Sequence, residues 1–167
     1  MGSKSHELSR VERLFLTADQ VPAHLVEAFH KLDRAEAIMD QFPRVEMPLV
    51  HRFVPGMYIR ERHLPGGSLI TSKVHKTEHP FTISEGACSV YEGREGIVHI
   101  CAPFTGITKP FTRRLIYTYS DVVWTTYHLN PDEIRDPDEL EAMLVYEYEN
   151  PLLKDKNTIE IEEGELV

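Results

Sequence analysis

From about Pro48 to Asn130 the chain is a succession of short runs in which apolar and polar residues alternate, each ending at a turn signal. The breaks are Val54-Pro55-Gly56, Pro65-Gly66-Gly67, Ser84-Glu85-Gly86 and Glu92-Gly93-Arg94-Glu95-Gly96. Between them the pattern predicts strands near 49–54, 57–63, 68–76, 80–85, 87–92, 96–101, 113–119 and 121–128. Many short strands at this spacing indicate a sandwich or a barrel. Strand parity then sorts side chains by face. Val122, Trp124, Thr126 and His128 share one face, and Lys73 and His75 share another.

The flanks read differently. Before Pro43, Asp19 is placed to cap a helix with Pro22 in its first turn. Leu25, Phe29 and Leu32 recur at helical spacing, and Ile38, Met39 and Phe42 continue the stripe less regularly. After Asn130, Asp136-Pro137-Asp138-Glu139 combines a cap, a first-turn proline and an acidic first turn. Leu140, Met143 and Leu144 supply an apolar face, and Asn150-Pro151 is the expected stop. The layout is one domain: a helical extension over 1–47, a barrel over 48–130, and a helix with an acidic tail over 131–167.

Length and charge narrow the field. At 167 residues the chain is long enough to bury a core, and no apolar run approaches the roughly 20 residues of a membrane span. Met1 to Arg10 is polar and lacks a signal-peptide core, which points to a soluble, cytoplasmic protein. A net charge of −9 argues against a partner held through nucleic-acid phosphates. Part of that charge sits in Thr158–Val167, which holds four Glu and reads as a solvated end. Cys88 and Cys101 make no CxxC pair and are expected as buried thiols. No glycine-rich nucleotide loop and no Gly-x-Ser-x-Gly elbow is present.

One segment carries candidate chemistry. Gly67 is followed after five residues by Lys73, then Val74, His75, three residues, His79, six residues and Gly86. This resembles the first motif of the cupins, G-x5-H-x-H-x3-4-E-x6-G, with Lys73 in the first His slot and His79 in the Glu slot. The second cupin motif is weaker here. Pro110 matches its proline, but Thr112, Leu115 and Tyr119 replace its glycine, histidine and asparagine. The middle of the chain is also similar to cupin-like proteins of unassigned function from bacteriophages and bacteria. That resemblance is carried by Tyr58-Ile59-Arg60-Glu61, the cluster His75-Lys76-Thr77-Glu78-His79, Ala102-Pro103, Lys109-Pro110, Arg113-Arg114 and Trp124-Thr125-Thr126-Tyr127-His128.

The resemblance implies a mainly β fold: a cupin double-stranded β-helix, or jelly-roll barrel, with flanking N- and C-terminal helices. It also implies a divalent transition metal (Fe, Zn, Ni or Mn) in the barrel. His75 and His79 are the expected ligands, with His128 borrowed as the third. A metal-free pocket and a site that also uses Glu78 are the alternatives. Glu78 is the candidate base or fourth ligand. Lys73 suggests an anionic partner or an ion pair with Glu61 or Glu78. If Leu115 occupies the ligand slot, Arg113 and Tyr117 also face inward and position substrate. The face of Arg60 and Arg62 stays open without the strand register. His51, His63 and His99 are expected as ordinary strand residues, and His6, His24 and His30 as surface. The expected function is metal-dependent action on, or binding of, a small anionic molecule, of undetermined reaction type. The alternative is a non-enzymatic module that sequesters such a molecule. The helical flanks favour a homodimer.

Overall fold

Alternation becomes two antiparallel sheets, because each strand buries one face against the other sheet. A computed structural model of the chain describes residues 11–153; Met1–Arg10, with His6, and the acidic tail Thr158–Val167 lie outside the described residues. A short β1 (Phe15–Leu16) and two 3-10 turns (Ala18–Gln20 and Ala23–Leu25) lead into α1 (Val26–Met39). Ten strands follow: β2 (Leu49–Val54), β3 (Met57–Leu64), β4 (Leu69–Thr71), β5 (Val74–His75), β6 (His79–Glu85), β7 (Ala87–Tyr91), β8 (Ile97–Cys101), β9 (Phe104–Thr108), β10 (Leu115–Thr118) and β11 (Val122–Leu129), all in the two barrel sheets except β5, which joins β1 and a later strand in a small third sheet. The chain continues through α2 (Pro137–Leu144) into β12 (Val145–Tyr148).

The pairing is nested. β7 pairs with β8, β6 with β9, β4 with β10 and β3 with β11, all antiparallel. Successive pairs fall alternately in a four-stranded sheet, β4-β10-β7-β8, and a five-stranded sheet, β2-β3-β11-β6-β9. A long hairpin rolled up in this way is a jelly roll, the expected cupin-type double-stranded β-helix. Leu64, Ile70, Phe81, Ile83, Val90, Ile116 and Trp124 fill one end of its interior. Near the other end, α2 and β12 pack Leu140, Leu144 and Val145 against Tyr58. No helix among the described residues is long and apolar enough to cross a membrane.

Several expectations shift. The first helical turn comes later than the Asp19 cap implies, because Ala18–Leu25 is spent in 3-10 turns. Leu25, Phe29 and Leu32 are nevertheless buried. Asp136 caps α2 as expected, accepting from the backbone N–H groups of Asp138 and Glu139 at 3.1 and 3.0 Å. That helix stops at Leu144 rather than at Asn150, since Val-Tyr-Glu-Tyr is a strand sequence that inserts between β1 and β5. The predicted strand 68–76 breaks at Ser72-Lys73, where the Ser72 hydroxyl accepts from Arg114 N–H. β9 escapes the pattern because it contains Gly106, a weak strand residue. Gly106 lies opposite Phe81, whose ring approaches to within 2.6 Å of where a Cβ would stand. Cys88 is buried as expected, but Cys101 is exposed.

One buried cation adds a further tie between the flanks and the barrel. Arg113 is 2% exposed and pairs with Asp33 and Glu36 of α1, each at 2.7 Å. The guanidinium lies 5.3 Å from the ring of Phe29 and 4.8 Å from that of Tyr148 on β12. The Tyr148 hydroxyl donates to Asp33 at 3.0 Å. Removing one member of such a buried pair strands the other. Asp33→Ala is therefore expected to lower stability in urea unfolding by about 3–5 kcal/mol. Arg52→Ala, which breaks the surface pair with Glu61, is expected to cost no more than about 1 kcal/mol.

Candidate functional site

The motif's two glycines are backbone requirements. Gly67 and Gly86 have φ of 72° and 89°, in the left-handed region. At Gly86 a Cβ would also run into the Asp121 carbonyl oxygen. Between these glycines the chain leaves β4, forms β5, turns through Lys76–Glu78 and returns as β6. His75 ends β5 and His79 begins β6, with ring centroids 5.1 Å apart.

His128 arrives by register. Thr126 on β11 lies opposite Phe81 on β6. Two residues on in one strand and two back in the other bring His128 beside His79. Their ring centroids are 4.4 Å apart. The structure thus brings His75, His79 and His128 into one cluster.

His79 and His128 are buried and His75 is part-buried, and burial favours the neutral form of all three rings. Burial, reinforced by the charge of Arg114, holds His75 well below the usual imidazole range. Burial also lowers His79, against the opposing pull of its hydrogen bond to Thr77. His128 is pushed down to about 3, by burial first and then by His79 and Arg60. Two orientations are fixed from outside the cluster. His79 Nδ1–H donates to the Thr77 carbonyl at 2.9 Å, since a carbonyl only accepts. The Thr126 hydroxyl is directed at the Arg60 carbonyl, so His128 Nε2–H donates to Thr126 Oγ1 at 2.8 Å. His79 Nε2, His128 Nδ1 and His75 Nδ1 are then buried with no hydrogen-bond partner. Bare lone pairs on neutral imidazoles are what a transition metal binds, and in His79 and His128 the opposite nitrogen is anchored as well. No group of three or more His, Cys, Asp or Glu among the described residues already stands in ligating geometry. The donor set fits a metal in its chemistry.

A cavity of about 400 Å³ opens beside the cluster. His75 and His128 line it, together with Arg60, Arg62, Arg114 and Trp124. His79 lies behind them, 4% exposed. Lys73 is at the rim, paired with Glu141 at 3.0 Å and Glu147 at 3.8 Å instead of with Glu61 or Glu78.

Three expected site residues fall elsewhere. Glu78 is in the turn, half-exposed and paired with Lys109 at 2.8 Å, because the inward place there goes to His79. Arg113 points to α1, as described above. Tyr117 is on the outside of the barrel, edge-on to Tyr119. The cause is a parity slip. Ile116, not Leu115, faces the interior. Phe111 has a left-handed φ of 64°, and the chain is irregular up to β10, so motif spacing does not carry over into strand parity.

The interior therefore receives Arg114, which the motif did not mark. Its guanidinium donates to Glu92 and to Thr108 Oγ1, both at 3.0 Å, and lies over Phe81 and Trp124. Arg60 and Arg62 face inward because β3 pairs them with Thr126 and Trp124. That long-range register is the missing signal. His51, His63 and His99 are satisfied by Tyr58, Glu61 and Ser89, and His24 and His30 are exposed.

The fold and site together define a jelly-roll barrel with an interior histidine cluster. No family profile matches the chain, and no curated protein is significantly similar to it. Among solved structures it is similar to an uncharacterized conserved protein with a double-stranded beta-helix domain from Klebsiella pneumoniae. Identity there is 18% over 53% of this chain and 84% of that one, with a TM-score of 0.43. A cupin-2 domain containing protein from Shewanella frigidimarina gives 8% identity over 57% and 92%, with a TM-score of 0.40. The salicylate 1,2-dioxygenase of Pseudaminobacter salicylatoxidans gives 10% over 64% and 34%, with a TM-score of 0.47. The strand order, not these likenesses, defines the barrel.

Neutral buried histidines make stability pH-dependent. Their folded-state values lie below the unfolded value near 6.5, so the unfolded chain takes up more protons as pH falls. The metal-free protein is expected to lose stability from pH 6.5 downward, by up to about 1.4 kcal/mol per pH unit for each such proton. His128→Asn is expected to flatten that slope in urea titrations run at a series of pH values.

Proposed function

We propose that the chain is a cytoplasmic, single-domain member of the cupin superfamily that binds a divalent transition metal (Fe, Zn, Ni or Mn) and a small anionic molecule in its barrel. The observation that carries this reading is the clustering of three imidazoles, each with one buried nitrogen that lacks a hydrogen-bond partner. Each would cost about 1–3 kcal/mol if left unsatisfied. His75, His79 and His128 would hold the metal. Bound there, it would polarise a substrate oxygen or activate water or O₂. The chain's own residues do the rest. Thr77 and Thr126 fix two ring orientations, Leu144 and Val145 help wall off the cavity, and Arg60, Arg62 and Arg114 make it cationic.

A second reading, binding without turnover, is favoured by one observation. Among the described residues lining the cavity Glu141 is the only acid, and Lys73 engages it. No carboxylate there is free to act as a general base. A protein of this kind, phage-encoded or bacterial, would sequester a small molecule. Native mass spectrometry separates the two readings: a retained ligand released unchanged supports sequestration, and a product supports catalysis.

Metal uptake tests the main reading. The purified protein is expected to bind one equivalent of zinc or another of the four metals by metal analysis and calorimetry. His75→Ala, His79→Ala and His128→Ala should each abolish stoichiometric binding, and Thr126→Val should weaken it by roughly 10–100-fold. Parent protein that takes up none of the four metals would end the metal reading.

We also propose a homodimer through the outer face of the four-stranded sheet. Its outward residues include Leu69, Ser89, Ile97, His99, Leu115 and Tyr117, in register across β4, β10, β7 and β8. No outward position on these strands is Asp, Glu, Lys or Arg. For a chain of net charge −9, this face allows a second copy to approach without repulsion. Light scattering is expected to give twice 19.3 kDa for the parent and a single 19.3 kDa species for Tyr117→Glu. A monomeric parent, or a variant that still dimerises, would refute this interface.

A further inference from the structure

The five-stranded sheet sends two arginines from one strand into the cavity. Arg60 and Arg62 are two apart on β3 and lie opposite Thr126 and Trp124, whose side chains face inward. The other cationic side chains at the cavity, save Arg44, have acid partners. Lys73 holds Glu141, and Arg114 holds Glu92, each at 3.0 Å. Among the described residues no ion pair reaches Arg60, Arg62 or Arg44, the last an exposed side chain that also lines the cavity.

This is an unfavourable arrangement for an empty site. Like charges that share a part-buried space repel, and burial removes the water that would screen them. Arg62 registers both effects: burial first, then the charge of Arg60, draws its pKa below the ordinary guanidinium value, and the opposing pull of Glu141 and Tyr58 offsets this only in part. Arg60 also acts on His75 and His128, which puts the pair next to the histidine cluster. The remaining wall is apolar, with Leu64, Ile70, Ile116 and Trp124. Opposed cationic and apolar walls around about 400 Å³ suit a small molecule with two unlike ends.

We propose that Arg60 and Arg62 form an oxyanion clamp, and that the cavity takes small amphipathic anions: a carboxylate or phosphate head on the two guanidiniums, with an apolar body against Leu64, Ile70, Ile116 and Trp124. A guanidinium fork matches the geometry of either head, and the charge makes each hydrogen bond stronger than a neutral one. This rests on reading the cavity as a small-molecule site, but not on the metal.

Calorimetry on the full chain tests it, first in chelator and then with zinc. The probes are benzoate, phenyl phosphate, benzamide and inorganic phosphate. Benzoate or phenyl phosphate is expected to bind at least tenfold more tightly than benzamide, which lacks the charge, and than inorganic phosphate, which lacks the body. The tighter of the two identifies the head. R60Q and R62Q should each weaken that probe roughly tenfold to a hundredfold. Ligand-free Arg62→Met is expected to melt at or above the parent's midpoint, since it removes an unpaired charge. The clamp is overturned if benzamide or inorganic phosphate binds equally well, if neither aryl anion binds, or if R60Q and R62Q change nothing. A lower midpoint for Arg62→Met would also overturn it, by showing that the guanidinium is already paired within the fold. Zinc uptake without anion binding would sink the clamp alone. Clamp-dependent anion binding in chelator, with no zinc uptake, would sink the metal reading alone.

Discussion

A side chain directed into a closed jelly roll leaves water, and must be apolar or find a partner there. That constraint orders this interior. At one end Ile83, Val90, Ile116 and Trp124 meet it by being apolar. Beside that cluster, Thr108 and Arg114 meet it by bonding to each other, and Arg114 also bonds to Glu92. His75, His79 and His128 meet it only in part: each ring gives up its charge, yet each leaves one nitrogen bare. Among the described residues this interior pairs nearly every other buried polar atom, and the three unpaired nitrogens are the observation on which the proposed metal site rests.

Four arginines within the barrel or on its wall show how the same residue type takes different roles. Arg113 is spent on architecture, sandwiched between two rings and paired with Asp33 and Glu36, so that α1, β10 and β12 hold together. Arg114, the next residue, is turned the other way and lowers the pKa values of His75 and His79 while remaining paired. Arg60 and Arg62 are unpaired and face the cavity. Only the last two stand in no ion pair, with Glu141 the one acid that shares their cavity among the described residues.

Much of this was legible in the sequence where a single strand carries the information. The parity of Trp124, Thr126 and His128 holds, and seven of the eight predicted strands match observed strands closely, because alternation within a strand is local. The spacing from Gly67 to Gly86 likewise reads through, since both glycines are fixed by left-handed backbone. What failed needed information from elsewhere. Arg60 and Arg62 could not be assigned a face until β3 was registered on β11. Arg113 and Tyr117 were assigned the wrong face because the irregular stretch at Phe111 resets the parity of β10. The strand at Val145–Tyr148 was hidden behind a helix signal, and β9 behind a glycine that makes room for Phe81.

The metal reading depends on three neighbouring imidazoles being neutral, each with one bare nitrogen. Long-range ¹H–¹⁵N correlation spectra of the histidine side chains test it most directly, in metal-free protein at pH 7 and during a zinc titration. The account predicts three neutral rings, with the proton of His79 on Nδ1 and that of His128 on Nε2. One equivalent of zinc should then shift the bare nitrogens of His75, His79 and His128 together. Charged rings at pH 7, or bare nitrogens that zinc leaves unmoved, would contradict it.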